Sequence, residues 1–238
     1  MGESLEGLSV VVTGASRGIG LATAEALVAR GAWVGMVARS EGPLREAAKR
    51  CGGHPLPADV SSASSVEKLA GAVESVGGGA PDVIVNSAGA FSLSAFVDTS
   101  PETLDAQLTT NVRGPFLVTR AFLPQMIARG SGHLVNVGSV AGRLPLPGNA
   151  AYGTSKFGLR GLHEILTTEL QGTGVRATFI EPAATDTSLW DPLDPDSRDD
   201  LPSRSAMLRP QDVARAIVFA IAQPPGVEVG LLALRSIR

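Results

Sequence analysis

Tyr152 is the only tyrosine in a chain of 238 residues, and Lys156, one of three lysines, follows it at i+4. A phenol works as an acid or base near neutrality only if a neighbouring cation draws its pKa down from about 10, and a lysine one helical turn away does this. Positions i and i+4 share a helix face, so both groups point into one site. Moving the phenol to about 7 takes ~4 kcal/mol in favour of phenolate. One positive charge ~5 Å away at an effective dielectric near 20 supplies ~3 kcal/mol of that.

A second constellation lies near the N-terminus, where Thr13-Gly14-Ala15-Ser16-Arg17-Gly18-Ile19-Gly20 follows an apolar run and opens an alanine-rich helix. Such glycines allow a tight turn, let backbone approach a pyrophosphate and admit close helix–sheet packing, while helix N–H groups face the anion. The spacing is G-x3-G-x-G; the flanking strand and helix favour anion binding over a purely structural turn. At the end of the next strand, where an enzyme using NAD places an acidic residue, stands Arg39, with Arg17 inside the glycine turn. Two guanidinium groups suit a ribose 2′-phosphate, solvated surface arginines being the alternative.

Three further stretches carry candidate groups. Ser139, in Asn136-Val137-Gly138-Ser139, lies thirteen residues before Tyr152; a lone serine after a strand also serves as a turn or cap residue. Asn111 interrupts a helical stretch from Thr103 to Arg129, and Pro115 cannot donate to the carbonyl four residues earlier, which belongs to Asn111. A plain proline kink is the other reading. His163-Glu164 lacks the second histidine of a zinc helix, and His54, His133 and His163 have no metal-ligand spacing, so we expect no metal and a helix-surface His163.

Positioning these groups requires alternating elements. Leu8–Val12, Trp33–Val37, Pro81–Asn86, His133–Val137, Val175–Ile180 and Val229–Leu232 read as buried strands, with another before Asp59, and most gaps accommodate a crossover helix. Ser61/Ser62, Ser100-Pro101 and Pro210 mark helix starts. The expectation is α/β: one doubly wound, Rossmann-type parallel sheet with helices on both faces, a single domain over 1–238. From Asp186 to Arg204 the chain holds six aspartates, three prolines and Trp190 without a sustained period, and its place after the sixth strand suggests a substrate lid over about 185–208. A solvated acidic loop is the plainer alternative.

Composition narrows the partners. A net charge of −3 gives no general attraction to nucleic acid or anionic membranes, and no apolar run approaches the ~18 residues of a span. Met1–Glu6 lacks a basic leader region, Glu6 does not suit a myristoylation signal, and the lone Cys51 excludes an internal disulfide. We therefore expect a cytoplasmic protein with a small-molecule partner.

With G-x3-G-x-G after the first strand, Asn86-Ser87-Ala88-Gly89 after the fourth, Ser139, Asn111 and Tyr152/Lys156, the chain resembles the short-chain dehydrogenase/reductase family over about residues 7 to 235. The resemblance implies an NADP(H)-dependent enzyme moving hydride between nicotinamide and a carbonyl or secondary alcohol. By it Tyr152 is the acid or base, Ser139 orients the substrate oxygen, Lys156 holds the nicotinamide ribose, and the Asn111 carbonyl holds a relay water. An oxidised nicotinamide supplies the remaining phenolate stabilisation. Gly14, Ser16, Arg17, Gly18, Ile19 and Gly20 would cradle the phosphates, and Arg39 would meet the 2′-phosphate. Asp59 and Val60 would flank the adenine, while Asn86, Ala88 and Gly89 would line the cofactor.

The family's usual P-G-x-V-x-T is here Pro182-Ala183-Ala184-Thr185-Asp186-Thr187, so Pro182, Thr185 and Thr187 are carried over. Ala183 loses the freedom of glycine, which suggests altered cofactor affinity or lid geometry. Phe91, Leu93, Leu144, Leu189 and Trp190 fall on loops expected around the substrate, pointing to a largely apolar ketone, aldehyde or 3-oxoacyl compound. The family pairs the Asn111 helix and the Tyr152 helix with a second subunit, and Leu159, Leu162, Leu166 and Leu170 form a stripe that would serve a homodimer or homotetramer or, alternatively, the chain's own core. A catalytically silent NADP(H)-binding sensor or scaffold is the reading from a different class. A sugar-nucleotide epimerase would need a C-terminal substrate domain for which there is no room.

Overall fold

In the computed structural model, which describes residues 4–237, seven strands form one parallel sheet. They are β1 (Ser9–Thr13), β2 (Trp33–Ala38), β3 (His54–Pro57), β4 (Val83–Asn86), β5 (Gly132–Val137), β6 (Val175–Pro182) and β7 (Leu231–Leu234). Their order is β3-β2-β1-β4-β5-β6-β7, so the winding reverses between β1 and β4, where this topology opens a crevice at the carboxyl ends of the strands. Residues 1–3, part of the segment read as lacking a leader, lie outside the described residues. No helix among those described is long and apolar enough to cross a membrane.

The strands are apolar throughout because both faces are covered. Val10 and Val12 point into one core with Val83, Val85, Val135 and Val137, and Val11, Ile84 and Leu134 point into the other. The first core is closed by α1 (Gly18–Val28), α2 (Glu41–Cys51) and α7 (Pro210–Ile221) through Leu27, Leu44 and Ile217. The second is closed by α3 (Ala63–Gly77) and α5 (Gly114–Arg129) through Leu69, Phe122 and Met126. Local signals set the ends: Ser62 accepts from Ser65 N–H at 3.4 Å to start α3, and Ser100 accepts from Thr103 N–H at 3.2 Å to start α4 (Pro101–Leu108).

Three expectations need correction. The helical stretch through Asn111 is not continuous: a π-helical turn over Thr109–Arg113 separates α4 from α5, with Gly114 N–H reaching back five residues to Thr109 O. Beyond it Pro115 offers no donor, so the wide turn sits where the α-helical pattern fails. The last strand starts two residues later than expected, at Leu231, because its register is set by β6, with Phe179 N–H bonded to Gly230 O at 2.9 Å. His163 does not lie on a helix surface: on α6 (Ala150–Glu169) it turns inward, 5 % exposed, with Nδ1 3.2 Å from Asn136 Nδ2 and its ring against Phe179.

That burial has a consequence for acid stability. Burial draws His163 down to about 4, with the neighbouring Glu164 opposing and Arg160 reinforcing the shift. It draws His133, bonded to Thr178 at 2.8 Å and also near the Arg176 charge, down to about 3. The unfolded chain takes up these protons near pH 6.5 whereas the folded chain refuses them, so stability falls as pH drops below 6.5 toward those values. At pH 5 each histidine should cost about 2 kcal/mol relative to pH 7. Urea unfolding at the two pH values should show the loss, and His163→Gln, which retains an acceptor for Asn136, should remove about half. A stability unchanged between pH 7 and 5 would contradict the assignment.

Candidate active site

The carboxyl ends of the strands enclose a cavity of about 1050 Å³. Its floor at the β1–β4 reversal is built by the glycine turn. Gly14 has φ +70°, and a Cβ there would lie 2.8 Å from Ala88 Cα; a Cβ on Gly20 would lie 2.7 Å from the Gly14 carbonyl carbon. Only hydrogen at these positions lets the turn, the helix and the 86–89 segment meet so closely. Thr13 locks the contact by accepting from Ser87 N–H and Ala88 N–H, each at 3.1 Å.

Ser16, Arg17, Gly18 and Ile19 line this end with Gly14 and Gly20, and Arg39 faces them from the end of β2. Neither Arg17 nor Arg39 has an ion-pair partner among the described residues. Asp59 and Val60 complete this wall. Asp59 is held below the usual carboxylate range, first by the Ser61 hydroxyl at 2.6 Å, against a burial cost, with Ser61 N–H and the Arg39 charge assisting. Backbone N–H groups at a helix start that no side chain caps, a cradle that a Cβ would fill and two guanidinium groups outside any close ion pair among the described residues suit the phosphates of a dinucleotide.

The other end holds Ser139, Tyr152 and Lys156. Tyr152 and Lys156 lie one turn apart on α6, with Nζ 5.7 Å from the phenol ring centroid and donating to Val137 O at 3.0 Å. Ser139 ends the β5 run and caps the 3-10 turn Val140–Gly142, accepting from Ala141 N–H at 3.2 Å. Burial pushes Tyr152 up to about 12, with the Ser139 hydroxyl pulling the other way, and burial draws Lys156 down to about 8. The sequence estimate, which started the phenol at its solution value, therefore understated what the site must supply.

Two expected residues stand behind the cavity wall. Asn86 is buried and donates to Asn136 Oδ1 at 2.9 Å and Thr119 Oγ1 at 3.3 Å, leaving Ser87, Ala88 and Gly89 as the lining residues of its motif. The Asn111 side chain is also fully buried: Oδ1 accepts from Ala90 N–H at 2.8 Å, and Nδ2 donates to Ala90 O at 2.9 Å and Ser155 Oγ at 2.8 Å. Ser155 in turn donates to Tyr152 O at 2.7 Å. Thr13 and Ser155 were missed in the sequence, although a hydroxyl residue in the middle of a helix beside the lysine was a visible signal.

Pro182, Ala183, Thr185 and Thr187 pass along the remaining wall. Ala183 donates its N–H to Leu234 O at 2.8 Å, extending the β6–β7 pairing, and among the described non-glycine residues only Asp194 has a positive φ. Alanine is thus accommodated without strain, and the expected effect of losing glycine here does not arise from the backbone. Thr187 leans over the glycine turn, its Cγ2 3.2 Å from where a Gly18 Cβ would stand.

The acidic stretch is largely exposed from Asp191 to Asp200, yet it carries local structure. It folds into three 3-10 turns, and Arg204 grips Asp186 and Asp191 at 2.6 Å each. Its Leu189, Trp190 and Leu201 face the cavity opposite Phe91 and Leu93; Leu146, not the expected Leu144, joins them. Phe91 stands edge-on between Tyr152 and Trp190, with ring centroids 4.7 and 4.8 Å away.

The chain's likenesses to known proteins agree with this geometry. A family model described as short chain dehydrogenase matches residues 9–198. An uncharacterized oxidoreductase of Staphylococcus epidermidis is 35% identical over 229 residues, 95% of this chain and 96% of that protein. A metagenomic short-chain oxidoreductase solved in complex with NADP is 30% identical with a TM-score of 0.84, over 99% of this chain and 100% of that one. An alcohol dehydrogenase from the archaeon Thermococcus sibiricus, solved with 5-hydroxy-NADP, is 29% identical with a TM-score of 0.84, over 97% of each chain.

Proposed function

The chain belongs to the short-chain dehydrogenase/reductase family of oxidoreductases, and from that premise we propose that it interconverts a largely apolar carbonyl compound and its alcohol using NADP(H). The observation that carries this reading is the convergence of Tyr152, Lys156 and Ser139 at one end of a cavity whose other end holds Arg17 and Arg39. NADP(H), when bound, supplies or takes the hydride at nicotinamide C4. Arg39 and Arg17 take the 2′-phosphate, and the glycine-turn N–H groups and Thr187 take the pyrophosphate side. Thr185 holds the carboxamide through its backbone. Both cofactor-bearing neighbours named above were solved with NADP or a derivative, which supports the choice.

Tyr152 gives a proton to the carbonyl oxygen in reduction and removes it in oxidation, with Ser139 holding that oxygen beside the phenol. Lys156 favours the phenolate and binds ribose hydroxyls, and the carbonyl of Asn111, in the turn where Pro115 offers no donor, holds the relay water. Phe91, Leu93, Leu146, Leu189 and Trp190 exclude water around the reacting oxygen, and the 185–208 segment acts as a lid clamped by Arg204. A panel of ketones, aldehydes and 3-oxoacyl thioesters assayed by NADPH oxidation tests the reading. Tight NADPH binding without turnover on any of them would favour the sensor alternative.

We also propose that the protein is a homo-oligomer, on different residues from those first considered. Leu159 and Leu170 are buried in their own chain, 1 % and 4 % exposed, and Leu166 packs on the core that holds Leu170, so most of the leucine stripe faces inward while Leu162 is half-buried. The outward face of α6 instead carries Phe157 and Ile165, 48 % and 59 % exposed, and α5 carries Phe116 at 48 %. Covering these side chains with a second copy would remove the apolar surface that the fold leaves in water. Light scattering at micromolar concentration should report a dimer or tetramer, and Ile165→Glu should shift it toward monomer. A wild-type monomer would contradict the proposal.

A further inference from the structure

We propose that Glu181 is a positioning residue for this reaction, tying the Ser139 turn to the Tyr152/Lys156 helix through Arg143 and Arg160; the inference rests on the functional reading above. Glu181 lies on β6 immediately before Pro182, and its side chain is 1 % exposed. One carboxylate oxygen accepts from Arg143, at 3.1 Å from Nε and 3.0 Å from the terminal nitrogen, and the other accepts from Arg160 at 2.9 Å. Arg143 Nε also reaches the second oxygen, at 3.4 Å, so two segments meet on one carboxylate. Arg143 closes the 3-10 turn that begins at Ser139, with its N–H on Val140 O at 3.0 Å. Arg160 is one helical turn beyond Lys156, on the same side of α6.

None of the three lines the cavity, so whatever they contribute to the reaction passes through the residues they hold. The contact they govern is close. A Cβ on Gly142 would stand 2.7 Å from the Lys156 carbonyl oxygen, so the serine turn and the lysine helix meet backbone to backbone at that point. A buried carboxylate with two guanidinium partners is a poor device for stability alone, since packed apolar groups in its place often match or exceed it. Its planar, two-sided geometry fixes the relative placement of two strand ends and a helix, and misplacing a reacting group by ~1 Å can cost ~100-fold in rate.

The test is Arg143→Met, read beside Arg143→Lys, in the NADP-loaded full chain. Arg143 is half-exposed, and Arg160 still neutralises Glu181 when it is gone, so the variant should fold. Expected for Arg143→Met is a loss of about 10- to 100-fold in kcat with NADPH affinity, read by nicotinamide fluorescence, held within about 2-fold. The phenolate titration of Tyr152 in the NADP⁺ complex should move upward as Ser139 drifts, and Arg143→Lys should recover most of both. Wild-type kcat and titration in Arg143→Met would overturn the proposal, as would a matching loss of cofactor affinity and thermal stability that marks a purely structural pair. The titration needs no substrate, so this outcome stays separate from that of the carbonyl panel: absence of turnover there, or turnover surviving in Tyr152→Phe, counts against the functional reading instead.

Discussion

Tyr152→Phe should abolish turnover while leaving NADPH affinity nearly unchanged, because the ring still packs edge-on against Phe91 and only the proton carrier is lost. The same residue offers a direct physical readout. The chain has one tyrosine, so phenolate absorbance reports Tyr152 alone over the pH-insensitive background of two tryptophans. In the free protein burial holds the phenol near 12, and phenolate should not form below about pH 10. Bringing it to about 7 requires ~7 kcal/mol, of which the Lys156 charge supplies ~3 kcal/mol. The remainder must come from the positive charge of the oxidised cofactor and from hydrogen bonds such as that of Ser139, so the change on adding NADP⁺ should be large.

We expect phenolate between about pH 6 and 8 in that complex, and about 2 units higher in Lys156→Ala. The direction follows from charge: both the ammonium and the oxidised cofactor favour the deprotonated phenol, so removing either raises its pKa. A phenol that still titrates above 10 with NADP⁺ bound, or wild-type rates from Tyr152→Phe, would remove Tyr152 from the acid–base role.

Much of this arrangement was legible in the sequence because parallel strands covered on both faces are uniformly apolar. Val10 to Val12 and Val83 to Val85 could hardly be anything else, and Ser62, Ser100 and Pro210 mark helix starts through local hydrogen bonds or a missing N–H. What escaped depends on contacts between distant segments. His163 and Glu164 are neighbours in sequence, yet one faces Asn136 and the other faces solvent, and periodicity does not say which side of α6 meets the sheet. The leucine stripe was ambiguous for the same reason, since an apolar row facing the chain's own core and one facing a partner read alike. Residues of the glycine turn, Ser139 and the Tyr152/Lys156 pair all line the cavity; Asn86 and Asn111 stand behind it, held by buried side-chain bonds. The upward pull on Tyr152 was invisible for a related reason: spacing reveals the cation beside it but not how little water surrounds both.

Arg39→Asp should turn the cofactor preference from NADPH toward NADH. Arg39 is an exposed side chain at the rim of the cavity, facing Arg17 across the glycine turn, and its charge already acts on Asp59 in the same wall. A 2′-phosphate placed here gains a charge-assisted contact with a guanidinium that makes no close ion pair among the described residues, its charge reaching Asp59 only at longer range. Losing that contact should cost ~1.5–3 kcal/mol, or roughly 10- to 150-fold in NADPH affinity. Aspartate adds repulsion toward the phosphate and an acceptor for a free 2′-hydroxyl, so NADH should bind more tightly in the variant than in the wild type. Arg17→Ala should weaken NADPH in the same direction but by less, because removing one of two positive charges creates no repulsion. Added salt screens exposed attraction and repulsion alike, so the wild-type margin for NADPH and the variant's margin for NADH should both narrow as ionic strength rises. Fluorescence titration of both reduced cofactors into wild type and variant decides it: equal affinities in the wild type would reject NADP(H) as the preferred cofactor, and an unchanged ratio in Arg39→Asp would remove Arg39 from the 2′-phosphate contact.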